Sequence, residues 1–412
     1  MNIPQWRVEQ VLEEAVAAEP LAELRYGTAV SGLSQDDDGV TVHTGHGDLR
    51  ATHVIGADGH HSTVRESLGL SFDGESFADR FLIADIRAEL PFGPQRRFHF
   101  DPEWNPGRQV LLHPQPGSVW RIDWQVPADF DLEKARASGE VDARIRRVAG
   151  EAPYEIVWLS AYRFAQRTAP SYVEGRMLLA GDAAHVMTPF GARGLNSGIA
   201  DAENAAWKIA LARRGLAGPS LLDSYHAERH AAAVENLRIT GGTMRFLVPG
   251  TEAERAHRRD VLERALSDPQ ARAEVDSGKL YEPFPYVGSP LTTPWETPGF
   301  PPGEVVPGGL CPDAVVGDGR LRERFGAGFT VIAADREPPV ADTGVPISRL
   351  RLDAAALEPR PGRVWVVRPD GHLAAVLDDA DVRSVGAAVE RACGFPQART
   401  NPAAERSSPP RT

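Results

Sequence analysis

Residues 175–198 read GRMLLAGDAAHVMTPFGARGLNSG, and this stretch decides the fold. Residues 177–180 are four apolar residues in a row, short enough for a strand buried on both faces. Gly181 follows, where a chain can turn sharply. The turn pushes Asp182 out of the strand end, where its carboxylate can accept hydrogen bonds from sugar-like hydroxyls. The loop at 189–194 carries Pro189, Gly191 and Gly194, so backbone can approach a flat ligand closely. A helix is expected from about 195 to 212. Its first turn leaves N–H groups unpaired and carries a partial positive charge, suited to an anion that forms during reaction.

Upstream, residues 52–65 read THVIGADGHHSTVR, again a strand, a small-residue turn and a helix start. Thr63 with Glu66 fits a capping box, and Ser62 is an alternative cap. Free amides at such a start suit a phosphate, and Arg65 could add a charge-assisted contact. GADG by itself is equally an ordinary strand-to-helix turn.

Around these two motifs the pattern sorts into blocks. Residues 8, 11, 12, 15 and 16 are apolar on one face of an opening helix that Pro20 ends. A hairpin is expected, with strands at 24–31 and 40–44 about the turn Asp36-Asp37-Asp38-Gly39. A third strand is expected at 52–56. Strand-like runs at 81–90, 109–113, 119–126 and 156–162, with a helical insert at 131–149, predict a sheet of their own. Helices follow, then a proline-dense stretch at 283–312. Buried strands are expected at 329–334 and 364–368, and a helix at 382–393. The organisation read from this has six parts. An FAD-type domain portion at 1–80 is followed by a mainly β substrate domain at 81–165 and a second FAD-type portion with helices at 166–280. A Pro-rich linker at 281–312 then leads to a separate α/β module at 313–395 and a disordered tail at 396–412.

Bulk properties narrow the partners. The chain has 412 residues, 42% hydrophobic and 25% charged, enough for several domains. A net charge of −12 argues against nucleic acid and anionic lipid as partners. Its two cysteines, Cys311 and Cys393, form no CxxC pair and no metal cluster, which reads as a reducing, cytoplasmic compartment. The N-terminus does not read as a signal peptide, and no run is long and apolar enough to span a bilayer. Trp120 and Trp124 share one face of a strand. They could line an aromatic site, but a sheet core is the better reading. His60 and His61 read as surface loop residues, and His185 as packing near the loop.

In this order and at this separation, the two motifs resemble the later FAD fingerprints of the phenol and para-hydroxybenzoate hydroxylase family, single-component FAD monooxygenases. The segment Asn2-Ile3-Pro4-Gln5 before Glu9 is similar to the family's helix whose glutamine touches the flavin. DAENAAWK at 201–208 and LLDSYHAER at 221–229 resemble its next two helices. VRPDGH at 367–372 resembles part of a thioredoxin-like C-terminal domain, which without CxxC would be structural.

The resemblance implies a mixed α/β fold with an FAD-binding domain interrupted by a mainly β substrate domain. It also implies an aromatic hydroxylase that uses FAD, with NAD(P)H and O2 as co-substrates, on a phenol or polyketide, with no side-chain acid or base and no metal. Residue by residue, Asp182 after Gly181 would bind the ribityl chain, Gln5 would touch the flavin, and Pro189 would pack near its reactive carbon. Gly194, Leu195 and Asn196 would offer N–H groups to the flavin edge. Asp58, Gly59 and Arg65 would face the pyrophosphate or the nicotinamide nucleotide.

The family's opening G-x-G-x-x-G unit has no counterpart in this sequence. The FAD-type domain is therefore expected to be incomplete, and the chain to be N-terminally truncated relative to the family and to bind FAD weakly on its own. Two further readings stay open: a remnant or binding protein without stable FAD, and another flavin chemistry such as epoxidation or halogenation. A second copy of the chain is a candidate partner, beside a small aromatic substrate.

Overall fold

In the computed structural model, residues 3–276, 278–295, 305–334, 336–352 and 362–396 are described. Asn2, the centre of the proline-dense stretch and nearly all of the expected tail lie outside the described residues.

The two motifs meet in a small sheet. Strand β4 (Val54–Gly56) runs parallel to β11 (Met177–Leu179), with β10 (Val173–Glu174) antiparallel on the far side of β11. The register pairs Gly56 with Leu179, so both glycine turns leave from the same end of the sheet. Ligands of open α/β sheets gather at that end. Met177, Leu178 and Leu179 are all buried, as a continuous apolar run in a covered strand should be. On its other side β4 has no strand partner among the described residues.

The hairpin expected to begin near residue 24 starts later, at β1 (Val30–Gln35), and pairs with β2 (Val40–Thr44) about the Asp36 turn. Leu24 and Tyr26 ahead of it are exposed. The strand expected at 52–56 is shortened to β4, and a further strand that the sequence reading did not include precedes it. β3 (Leu49–Ala51) completes the hairpin sheet, and β4 belongs to the motif sheet. Helix α1 (Gln5–Ala18) forms as its periodicity demands, yet it buries none of its residues.

Strand alternation builds the β region. A six-stranded antiparallel sheet has β5 (Asp73–Arg87) at its centre. β8 (Val119–Val126), β7 (Val110–Gln115) and β6 (Arg97–His99) lie on one side, β9 (Glu155–Thr168) and β12 (His185–Val186) on the other. One face, including Leu82, Ile86, Trp120, Ile122 and Trp124, packs on α3 (Leu132–Ala137) and α4 (Glu140–Ala149). Each such side chain contributes about 1.5–3 kcal/mol by leaving water. Both tryptophans thus sit in the sheet core. The single helix expected at 131–149 breaks in two because Gly139 holds φ +81°. The other face carries Phe81 and Leu111 against Phe190, Met244 and Phe246, joining the sheet to the second motif.

Helices α5 (Arg193–Arg213), α6 (Asp223–Leu247), α7 (Glu252–Ala265) and α8 (Pro269–Glu274) follow. The described parts of the proline-dense stretch contain no helix, but they are not a loose linker. Tyr286, Leu291, Thr292 and Cys311 are buried, and residues 278–292 run as a strap over the helices.

In the C-terminal module, a hairpin of β13 (Val315–Val316) and β14 (Gly319–Arg320) precedes the main sheet. That sheet has the order β16 (Ile347–Arg351), β15 (Phe329–Ala333), β17 (Val364–Val367), β18 (Leu373–Leu377). β15 is parallel to β16 and antiparallel to β17, a thioredoxin-like arrangement, and α9 (Val382–Ala392) covers it. The module's core continues into Trp207, Leu211 and Leu221 of the helical region, so the two share apolar packing.

Candidate functional site

Asp182 lies in a single 3-10 turn, Gly181–Ala183, that β11 feeds directly. Gly181 holds φ +58° and comes within van der Waals reach of Gly198 on α5, so helix and turn cross at backbone distance. The Asp182 side chain is exposed and has no hydrogen-bond partner among the described residues. Surrounding protein mass raises its pKa, with His185 and His60 pulling the other way. A strand-end carboxylate left without a protein donor is suited to ligand hydroxyls.

The turn is held from behind. Asp201, fully buried on α5, accepts the Gly181 N–H at 2.9 Å and the His185 Nε2 at 2.7 Å on one oxygen. Its other oxygen accepts Arg229 Nε at 2.6 Å. Burial alone would raise the Asp201 pKa, but His185 and Arg229 overcome it and hold it at about 2. Arg229 also donates to Ser197 O, which fixes the second turn of α5.

Helix α5 starts at Arg193, earlier than expected, after Ala192 in a left-handed conformation at φ +54°. No side chain caps it, so the amides of residues 193–195 are open. Asn196 falls one position too late to offer its amide, and its side chain folds back on Ala192 O at 2.6 Å. Gly194 and exposed Leu195 lie in the first turn of α5, and Asn196 follows one residue later. Pro189 is exposed, directly ahead of buried Phe190. The loop is strapped from outside: Tyr281 N–H donates to Gly191 O at 3.0 Å, and a Cβ at Gly191 would meet Lys279 O at 2.2 Å. Arg193 is buried and donates to Lys279 O, Leu280 O and Asn236.

The first motif is arranged differently from its expectation. Ser62 is the cap, accepting the Arg65 N–H at 2.9 Å, and Asp58 accepts from Ser62 Oγ and the Val64 N–H. Gly59 supplies the turn at φ +80°. Arg65 points inward: it is buried, donates to Ala183 O and His60 O, each at 2.9 Å, and lies 3.9 Å over the Phe72 ring. It braces one motif against the other and is not open to a pyrophosphate. Gln5 donates to Glu9 on exposed α1, and no hydrogen bond ties it to the Asp182 turn among the described residues.

Sequence reasoning missed the supporting layer, Asp201, Arg229, Arg193 and Asn236. It also missed a second buried cluster. Glu228 accepts from Lys208, Asn204, Ser289 and both terminal nitrogens of Arg368, which in turn holds Asp370. Among the described residues no group of three or more His, Cys, Asp or Glu is placed to hold a metal ion.

The surface so formed fits a flavin. It has a free carboxylate at a glycine turn and an uncapped helix start, behind a loop that the strap pins in place. Residues 1–240 match the FAD binding domain family, and the chain belongs to that family. It is 38% identical to a rifampicin monooxygenase of Streptomyces venezuelae over 64% of this chain and 56% of that protein. It is also 38% identical to a dialkyldecalin synthase of Streptomyces rugosporus, over 56% of this chain and 50% of that one. The chain thus spans about half the length of these curated relatives. The flavin-dependent monooxygenase PieE, solved with FAD and substrate, superposes with a TM-score of 0.81 at 25% identity, covering 96% of this chain and 80% of that one.

Proposed function

We propose that the chain works as an FAD-dependent monooxygenase that hydroxylates an aromatic or polyketide-type substrate with NAD(P)H and O2, in the cytoplasm. The observation that carries this is Asp182, an exposed carboxylate without a protein donor beside the open amides of α5. When bound, FAD supplies the oxygen-transfer chemistry. The chain's own residues do the rest. Asp182 accepts ribityl hydroxyls. The amides of Gly194 and Leu195, at the positive end of α5, favour negative charge on the flavin edge. Pro189 and Phe190 close one side of the site and keep water from it. Asp58 and Gly59 shape the turn beside the diphosphate end, with Arg65 as their brace. Relatives named for rifampicin and anhydrotetracycline support a large aromatic substrate.

The test is flavin titration followed by NAD(P)H oxidation with a panel of phenols and hydroxyquinones. Asp182→Ala should need about 10- to 100-fold more flavin than wild type for the same fluorescence quench. Equal quenching by both overturns the reading. The dialkyldecalin synthase relative favours one alternative, non-oxidative ring formation on this scaffold. Product formation without NAD(P)H consumption would select it.

A further inference from the structure

We infer that Tyr286 is a positioning residue for the Asp182 turn, so that the strap and the C-terminal module help to set the geometry of the flavin site. This rests on the flavin reading above, and it concerns residues beyond the 1–240 stretch that matches the family.

Three short links make the connection. The Tyr286 hydroxyl accepts Arg229 Nη1 at 2.8 Å, Arg229 Nε holds Asp201 at 2.6 Å, and Asp201 holds the Gly181 N–H at 2.9 Å. Every side chain in this chain of contacts is buried to within 2% of complete. A buried guanidinium that loses one acceptor is left with an unsatisfied donor and turns toward another, carrying its remaining bonds with it. Arg229 grips both sides of the flavin surface, the turn through Asp201 and helix α5 through Ser197 O.

Tyr286 itself is placed by the C-terminal half of the chain. Its N–H donates to Gly308 O at 2.8 Å, and Thr292 Oγ1 donates to its carbonyl at 2.8 Å. Its ring lies 4.3 Å from the His372 ring and 5.2 Å from the Arg368 guanidinium, both on the β17–β18 connection. A shift of that connection therefore moves the hydroxyl that Arg229 depends on.

The test uses the full chain without flavin and follows amide hydrogen exchange over residues 178–184. Tyr286→Phe keeps the ring and removes only the hydroxyl. Exchange at Gly181 should rise about two- to thirtyfold, the range of coupling energies along such networks, with little change elsewhere. Val331→Ala, a cavity in the module's sheet away from Tyr286, is the control. It should lower the melting temperature without singling out residues 178–184. The inference is overturned if Tyr286→Phe leaves Gly181 protected as in wild type, or if Val331→Ala produces the same local rise. FAD titration of the same proteins separates the two readings. A local rise in exchange with no flavin bound by wild type keeps the coupling and sinks the flavin assignment. Flavin binding by wild type with unchanged exchange in Tyr286→Phe does the reverse.

Discussion

The Asp182 turn and helix α1 are both surface elements, and they are anchored in opposite ways. Behind Asp182 stand a buried carboxylate, a buried guanidinium and a strap that pins the neighbouring loop. Helix α1 has no such layer: none of its residues is buried, and Trp6, Val11 and Leu12 face solvent at 65%, 47% and 54% exposure. A residue that must meet a ligand can be exposed and still be held to within a rotamer, provided its backbone is fixed by groups that water cannot reach. Gln5, at the start of α1, has only Glu9 of the same helix as a side-chain hydrogen-bond partner among the described residues.

The largest effect should come from removing the anchor that joins the two halves of the molecule. Glu228→Ala leaves Lys208 and Arg368 buried without their shared acceptor, a loss of about 3–5 kcal/mol. Urea unfolding should show it. A loss under about 1 kcal/mol, the level of an exposed pair, would mean the cluster is open to water.

Asp182→Ala sharpens the contrast from the ligand's side. Losing a charged hydrogen bond to a flavin hydroxyl should cost about 1.5–3 kcal/mol, or about 10- to 100-fold in FAD affinity. The melting of the flavin-free protein should change by no more than about 0.5 kcal/mol, as for an exposed residue. Unchanged affinity, or a collapse of the fold, would each break the assignment.

Acid should weaken the support before it touches α1. Asp201 has a folded pKa of about 2 against an ordinary 3.8. Its stabilisation is therefore full above 3.8 and lost as pH falls through about 2. The amount is about 2 kcal/mol. It should appear as a stability gap between wild type and Asp201→Asn that is constant from pH 7 to 5 and closes toward pH 2. A gap that does not vary with pH would place the charge elsewhere.

The smallest effect belongs to α1. Leu12→Ser should move stability by less than about 0.5 kcal/mol, and thermal melts that fall by more would show a contact for this face.

The two glycine turns and the strands that feed them were legible because their signals are local. An apolar run ending in glycine reports a buried strand and its exit, and period-two alternation at Trp120, Ile122, Trp124 and Val126 reports one buried face. The supporting layer was not legible for the opposite reason. Arg193, Ser197, Asp201, Asn204 and Lys208 recur every three or four residues along α5 and are all buried. That spacing of polar residues is also what a solvent-facing stripe looks like. Only their partners at 228, 229, 236 and 370, on other elements, turn the stripe inward. At Arg65 a motif arginine is satisfied by carbonyls of its own fold, which its local pattern does not reveal.

The buried cluster at Glu228 also bears on how the molecule is made. Arg368 is joined to Glu228 across 140 residues of chain. At synthesis rates of about 5–20 residues per second, helices α5 and α6 are finished roughly 6–24 s before that arginine is made. For that interval Lys208 and Glu228 have only each other of the four charges, and the face that will hold Trp207 and Leu211 has no sheet to cover it. The nascent chain thus carries an exposed, half-neutralised seam until β17 and β18 arrive. The flavin half reaches its final form only after residues about 120 positions further along have been made.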